Sequence, residues 1–155
     1  MTEPLSWQFV EAVKAQLEQI QQANGFHTNL GTDVRVEPWA IDELVGEVSQ
    51  RIYLFTSSIQ RDGANSGPRT KKDRYSLTID VIVPTSQSDS HRNAHRALAD
   101  IRRALAETDV REWAPKAISS PELESQQIDP RPEGLKFVRV QVVLSALATE
   151  TFPVT

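Results

Sequence analysis

The segment 88–107, SDSHRNAHRALADIRRALAE, constrains the fold more than any other part of this chain. Ala94, Leu98, Ile101 and Leu105 recur at spacings of four, three and four, which gives one apolar stripe on an otherwise charged helix. Such a helix buries a single face and must lie against another element. Strand-like runs flank it on both sides. In 75–84, Tyr75, Leu77, Ile79, Val81 and Val83 alternate with Ser76, Thr78 and Asp80, the period of a half-buried strand. In 135–148, Val138, Val140, Val142 and Leu144 fall on one face.

The remaining segments fit around this plan. Phe9, Val10, Val13, Leu17 and Ile20 predict a helix over 6–23, with Ser6 as its cap and Asn24-Gly25 as its end. Asn29, Gly31 and Asp33 mark a loop leading to a short strand at 34–36. Ile41, Leu44 and Val45 suggest a turn or short helix at 40–48. Tyr53, Phe55 and Thr56 favour a strand at 51–60. Residues 86–89 supply caps for the helix at 88–107, 108–115 form a connection containing Trp113, and 118–128 read as an outer strand before a turn at 129–134. Strands and helices do not alternate one for one. The predicted class is therefore α+β: a small, mostly antiparallel sheet of four to five strands with two helices packed on one face. The whole of 1–155 reads as a single domain.

Composition narrows the function classes. Charged residues make up 25% and apolar residues 39%, the balance of a soluble intracellular protein. With no cysteine, disulfides, zinc–thiolate sites and a cysteine nucleophile are excluded within this chain. No apolar run approaches the roughly twenty residues that cross a bilayer, so no membrane role is expected. The opening MTEPLSWQF is acidic where a signal peptide would be basic. A net charge of −4 argues against a general nucleic-acid binder.

Chemistry-bearing patterns are weak. His91 and His95 stand four apart on a helix, a spacing at which two imidazoles can share a metal. No glutamate adjoins the first histidine, and two exposed polar residues explain the pair as well. His27 is solitary. Asp42, Glu43 and Glu47 cluster, as do Glu122 and Glu124, but all lie in polar stretches, where a solvated face is the default. Walker, G-x-G-x-x-G and G-x-S-x-G patterns are missing. No catalytic residue, metal or cofactor is expected, and the function is sought in a surface rather than a pocket.

The most suggestive stretch is 61–74, read as a mobile basic hairpin loop. Arg61, Arg69, Lys71, Lys72 and Arg74 stand against Asp62 and Asp73, five positive charges less two negative, or +3 on an acidic chain. Such a loop suits contact with phosphate or with an acidic partner surface, although a solvated tip has the same composition. No aromatic residue interleaves the cations, which disfavours base stacking. Exposed sheet edges form a second class of surface, with 118–128 and 51–60 as the edge candidates. Residues 148–155 read as a C-terminal arm that carries Phe152 and Val154 to a neighbouring subunit.

Three stretches together resemble the tail-terminator (tail-completion) proteins of long-tailed bacteriophages. They are QQANGFHTNLGTDVRVEP at 21–38, HRNAHRALADIRRAL at 91–105 and IDPRPEGLKFVRVQVVLSA at 128–146. With the order of elements, the resemblance spans most of the chain, apart from 39–48 and 108–121. It implies a structural, non-enzymatic virion protein in which six copies close into a ring on the last ring of tail-tube protein. Such a ring stops tube polymerisation and meets a head-completion or connector protein. It would sit at the head-proximal end of the tail, after assembly in the host cytoplasm. The basic residues at 61–74 would then face the lumen, where they contact passing DNA without sequence preference, or a neighbouring ring. The alternatives are a phage head–tail connector subunit and a small nucleic-acid-binding α+β module that uses the basic hairpin.

Overall fold

A five-stranded sheet in the order β1-β2-β3-β5-β4 organises the molecule, with helices on one face. The computed structural model describes residues 3–39, 50–62, 70–85, 89–130 and 136–151. In chain order these give α1 (Leu5–Leu17), β1 (Val34–Arg35), β2 (Arg51–Arg61), β3 (Thr70–Pro84), α2 (Ser90–Leu105), α3 (Val110–Trp113), β4 (Ile118–Pro130) and β5 (Phe137–Thr151). Single turns of 3-10 helix occupy Gln22–Asn24 and Leu30–Thr32. All strand pairs are antiparallel except β1 with β2. The α+β class is as expected. The segments expected at 40–48 and 86–88 lie outside the described residues.

The central pair is β3 with β5, in unbroken register from Thr70↔Thr151 to Pro84↔Phe137. On the helix side Tyr75, Leu77, Ile79, Val81 and Val83 meet Val138, Val140, Val142, Leu144, Ala146 and Ala148, all buried. Onto this surface α2 lays Ala94, Ala97, Ile101, Ala104 and Leu105, and α1 lays Phe9, Val10, Val13 and Leu17. The alanines bring α2 close to the strands, and the buried branched side chains are worth about 1.5–3 kcal/mol each. Trp113 of the short α3 stacks on Phe9 with centroids 6.4 Å apart and joins the same core.

Several details depart from the sequence expectations. Helix α1 ends at Leu17 rather than near 23, and Pro4, not Ser6, precedes its first turn, accepting from the Trp7 and Gln8 N–H groups. Its early end lets Ile20 drop into the core, while Gly25 closes the following 3-10 turn at φ 87°, the left-handed conformation that glycine takes without strain. Asp89 precedes α2 in a left-handed conformation, and its side chain forms no cap. Both ends of the segment expected as a loop at 61–74 are strand: Arg61 belongs to β2, while Thr70, Lys71, Lys72, Asp73 and Arg74 belong to β3. Those polar residues carry the ladder because pairing of backbone groups does not need apolar side chains. Likewise Ala148, Thr149, Glu150 and Thr151 of the expected arm extend β5. Strand β3 was expected to be half-buried, yet from Leu77 to Pro84 both faces are covered.

Two contacts fix the turn between α1 and β1. Asp100, buried on α2, accepts from the His27 and Thr28 backbone N–H groups at 3.0 and 2.8 Å and from the Thr28 hydroxyl at 2.7 Å. Arg103, one turn further along, donates to the Gly25 carbonyl at 2.6 Å and lies over the Phe26 ring. Gly31 then passes so near α1 that a Cβ would stand 2.5 Å from the Glu18 carbonyl oxygen. Asp100→Ala strands the buried Thr28 N–H and is expected to cost about 1–3 kcal/mol in urea unfolding. Gly31→Ala meets backbone that cannot swing aside and should cost a similar 1–3 kcal/mol. Wild-type midpoints for either variant would refute the corresponding contact.

Candidate interaction surface

The sheet outruns its helices. At about 3.4 Å per residue β3 is roughly 50 Å long, whereas α2 at 1.5 Å per residue is about 24 Å. Helix-side cover reaches Tyr75, which packs on Phe9 and donates to Glu150 at 3.2 Å. Burial, with the Glu150 carboxylate beside it, pushes the Tyr75 phenol well above its ordinary pKa. Two residues further on, Asp73, Ala148 and Ile118 are still buried, whereas on the β2 side the cover stops. Ile59, the register partner of Tyr75, is 51% exposed while Tyr75 is 4% exposed. The end of the β2–β3 ladder therefore projects past the core.

The basic residues read from the sequence sit on this overhang. Arg61 is at the end of β2, exposed, and Lys71, Lys72 and Arg74 are on β3. Lys71 pairs with the buried Asp73 at 3.4 Å, and Arg74 pairs with Asp62 at 3.8 Å and donates to the Ser145 hydroxyl at 3.3 Å. Two of the cations thus have carboxylate partners within the hairpin itself, which weakens the outward field of the cluster. Arg69 lies outside the described residues, as do Phe152 and Val154.

Among the described residues, both sheet edges are accessible to another chain. On one side β1 covers β2 only at Ile52 and Tyr53, and among the described residues no strand pairs with β2 beyond that point. On the other side β4 is outermost, with Glu122, Glu124, Gln126 and Gln127 exposed. Strand β4 is irregular: its register with β5 shifts between Ser119 and Glu122 and again between Leu123 and Ser125, and Ser120 has φ 51°. Bulges of this kind bend an edge and discourage indiscriminate strand addition.

On the sheet face away from the helices, Tyr53, Ile82 and Phe137 form a second apolar cluster, with Trp39 packed edge-on to Phe137 at 5.8 Å between centroids. This cluster is what covers the outer face of β3. No sequence signal assigned Trp39 to it, because one aromatic residue outside a periodic run carries no face. Asp80 is buried there. Burial raises its carboxyl pKa, opposed by the nearby Arg139 charge and by the polar hydrogens of Gln141 and Trp39. Arg139 also meets Asp129 at 3.4 Å.

Among the described residues, neither histidines nor carboxylates assemble into a reactive centre. His91 and His95 are exposed, with their Nε2 atoms 3.3 Å apart, and among the described residues no group of three or more potential metal ligands occurs. His27 lies on the turn held by Asp100. Glu122 and Glu124 are on the β4 edge, and Asp42, Glu43 and Glu47 fall outside the described residues. A cavity of about 290 Å³ lined by Arg111, Ala114, Pro115, Lys116 and Ile118 opens between α3 and β4. Asp109, which adjoins it through Arg111, caps α3 and is held below its ordinary pKa by that arginine. No helix among the described residues is long and apolar enough to cross a membrane.

Asp80 yields a pH test of the outer cluster. A carboxyl whose pKa rises on folding binds its proton more tightly in the folded chain. Its contribution is therefore most favourable below the ordinary carboxylate range, about pH 4, and is lost as pH rises through the raised value. Asp80→Asn should gain stability relative to wild type as pH goes from about 4 to 7. Urea unfolding at both ends of that range checks it, and a pH-independent difference would contradict the buried carboxyl.

No protein-family model matches the chain, and no curated protein matches it in sequence. Among solved structures it is similar in fold to a chain of the "Virion of native gene transfer agent (GTA) particle". That similarity has a TM-score of 0.57 and 18% sequence identity, and it covers 91% of this chain and 97% of that chain.

Proposed function

We propose that this protein is a non-enzymatic structural subunit of a phage-like virion that forms a ring, built from six copies, at the head-proximal end of a tail. The ring caps the tail tube, stops its polymerisation and joins it to a head-completion or connector protein. The observation that carries this reading is the fold shared, end to end, with a chain of a gene transfer agent virion. The three stretches resembling tail terminators supply the finer assignment. Physical support comes from the sheet itself, which leaves two edges and an overhanging hairpin available to neighbours. A closed ring of head-to-tail contacts uses both edges of every copy and leaves none to extend a filament.

The connector-subunit alternative keeps the ring and changes its neighbours. The nucleic-acid-binding alternative draws less support, because Lys71 and Arg74 are engaged by Asp73 and Asp62. Contact with DNA in the lumen would then be weak and non-specific.

Light scattering on a sizing column, with and without purified tail-tube protein, tests the proposal. A terminator is expected to reach ring-sized mass, at the latest on meeting the tube protein, and to halt tube growth at substoichiometric ratio. A connector would form the ring and leave tube length unchanged. A chain that stays monomeric under both conditions, and binds DNA with a steep loss of affinity in salt, would overturn the ring reading.

A further inference from the structure

The two open edges of the sheet carry opposite charge. Strand β2 contains no acidic residue; its Arg51 lies at the end covered by β1 and pairs with Asp33 at 3.4 Å, while its open end carries Arg61, to which the adjoining residues add Lys71, Lys72 and Arg74 against Asp62 and Asp73. Strand β4 contains Glu122, Glu124 and Asp129 and no basic residue. Asp129 is matched internally by Arg139, whereas Glu122 and Glu124 project from the exposed edge.

We propose that the acidic β4 edge of one copy docks on the basic β2–β3 hairpin of the next, and that this heterologous contact is the repeating interface of the ring. The inference rests on the ring reading above and names its contact surface. The occupant of each edge is a second copy of this chain, because the complementary edge stands on the opposite side of the same sheet. Strands β2 and β4 run in opposite directions within the sheet, through the successive antiparallel pairs β2–β3, β3–β5 and β5–β4. A neighbour related by rotation about an axis near the strand direction therefore presents β2 antiparallel to β4, in keeping with the rest of the sheet.

The registers also set the geometry of the contact. Following the ladder across the sheet, Arg61 is level with Ile118 through Asp73 and Ala148. Glu122 is level with Ser58 through Ser76 and Ser145. Bringing Arg61 opposite Glu122 shifts neighbouring sheets by about three residues, roughly 10 Å, along the strands. The same shift carries Arg61 away from Lys116, which precedes β4. Because the β4 edge is bulged at Glu122 and Glu124, side-chain charge rather than a continuous backbone ladder makes this contact. Such a contact is selective for its partner and weakens with salt.

Charge exchange tests it. Glu122→Lys with Glu124→Lys reverses one edge, and Arg61→Glu with Lys72→Glu reverses the other. Arg61, Glu122 and Glu124 are exposed, and circular dichroism and urea unfolding of each variant verify that the fold survives. Sedimentation of the full chain at low ionic strength, alone and with tail-tube protein, is the readout. The wild type is expected to assemble, and each variant alone to lose assembly at least tenfold in concentration. An equal mixture of the two variants is expected to recover it, since the reversed β4 edge of one then meets the reversed hairpin of the other, and their unchanged edges likewise meet each other. Assembly of both variants as well as wild type would overturn the contact while leaving the ring reading intact. Loss in both variants without recovery on mixing would also overturn it. A wild type that never exceeds monomer mass would remove the ring reading, and the contact with it.

Discussion

The β3–β5 ladder is the constraint on which the rest of the molecule depends. These strands pair without a break along fifteen positions, from Thr70↔Thr151 to Pro84↔Phe137, and β2 and β4 attach to their outer sides, with β1 added on β2. Their alternation supplies a continuous apolar strip that a helix of ordinary length cannot cover. Helices α1 and α2 are both bound to the part of the strip that runs toward Val83 and Val138, where a core can close. The remainder must project, and projection turns ordinary strand residues into a surface. The overhang is thus a consequence of unequal element lengths rather than of any special loop.

Cover on the two faces follows different rules. The helix side is closed by periodic apolar residues, which pack because each turn of α2 returns an alanine or isoleucine to the strands. The opposite face is closed by single large residues, Trp39, Tyr53 and Phe137, around a buried aspartate. A buried carboxyl held near an arginine and a tryptophan makes this second cluster sensitive to proton binding, whereas the main core, built from aliphatic and aromatic groups, is not.

Much of this was legible in the sequence, for identifiable reasons. The stripe in α2 and the alternation in β3 and β5 are long and regular, so their class, order and buried faces could be read directly. What was not legible depended on partners remote in sequence. The early end of α1 is set by Gly31 passing the Glu18 carbonyl, and the hold of Asp100 on Thr28 spans seventy-two positions. The hairpin was read as loop because its residues are polar. Backbone pairing with β2 and β5 overrides that composition at Thr70, Lys71, Lys72, Asp73 and Arg74. Of the candidate surface, Arg61, Lys71, Lys72 and Arg74 lie on β2 and β3, while their internal ion pairs and the opposing acidity of β4 emerge only once the strand order is known. Residues 40–48, read from their apolar spacing as a turn or short helix, lie outside the described residues, whereas Trp39 before them is described.

The proposed function lies in the edges of the sheet, and edges acquire meaning only from neighbours. A sheet with one acidic and one basic border is polarised across its width, and repeated copies with that polarity tend to line up in one sense. If the arrangement closes, the resulting ring has two distinct faces, as a junction between a tube and a different partner requires. Electron microscopy of tail tubes incubated with the protein tests this central claim most directly. The account predicts a single closed annulus at one end of each tube, with six-fold class averages and none along the shaft. Tubes with bare ends, or with protein scattered along their length, would contradict it.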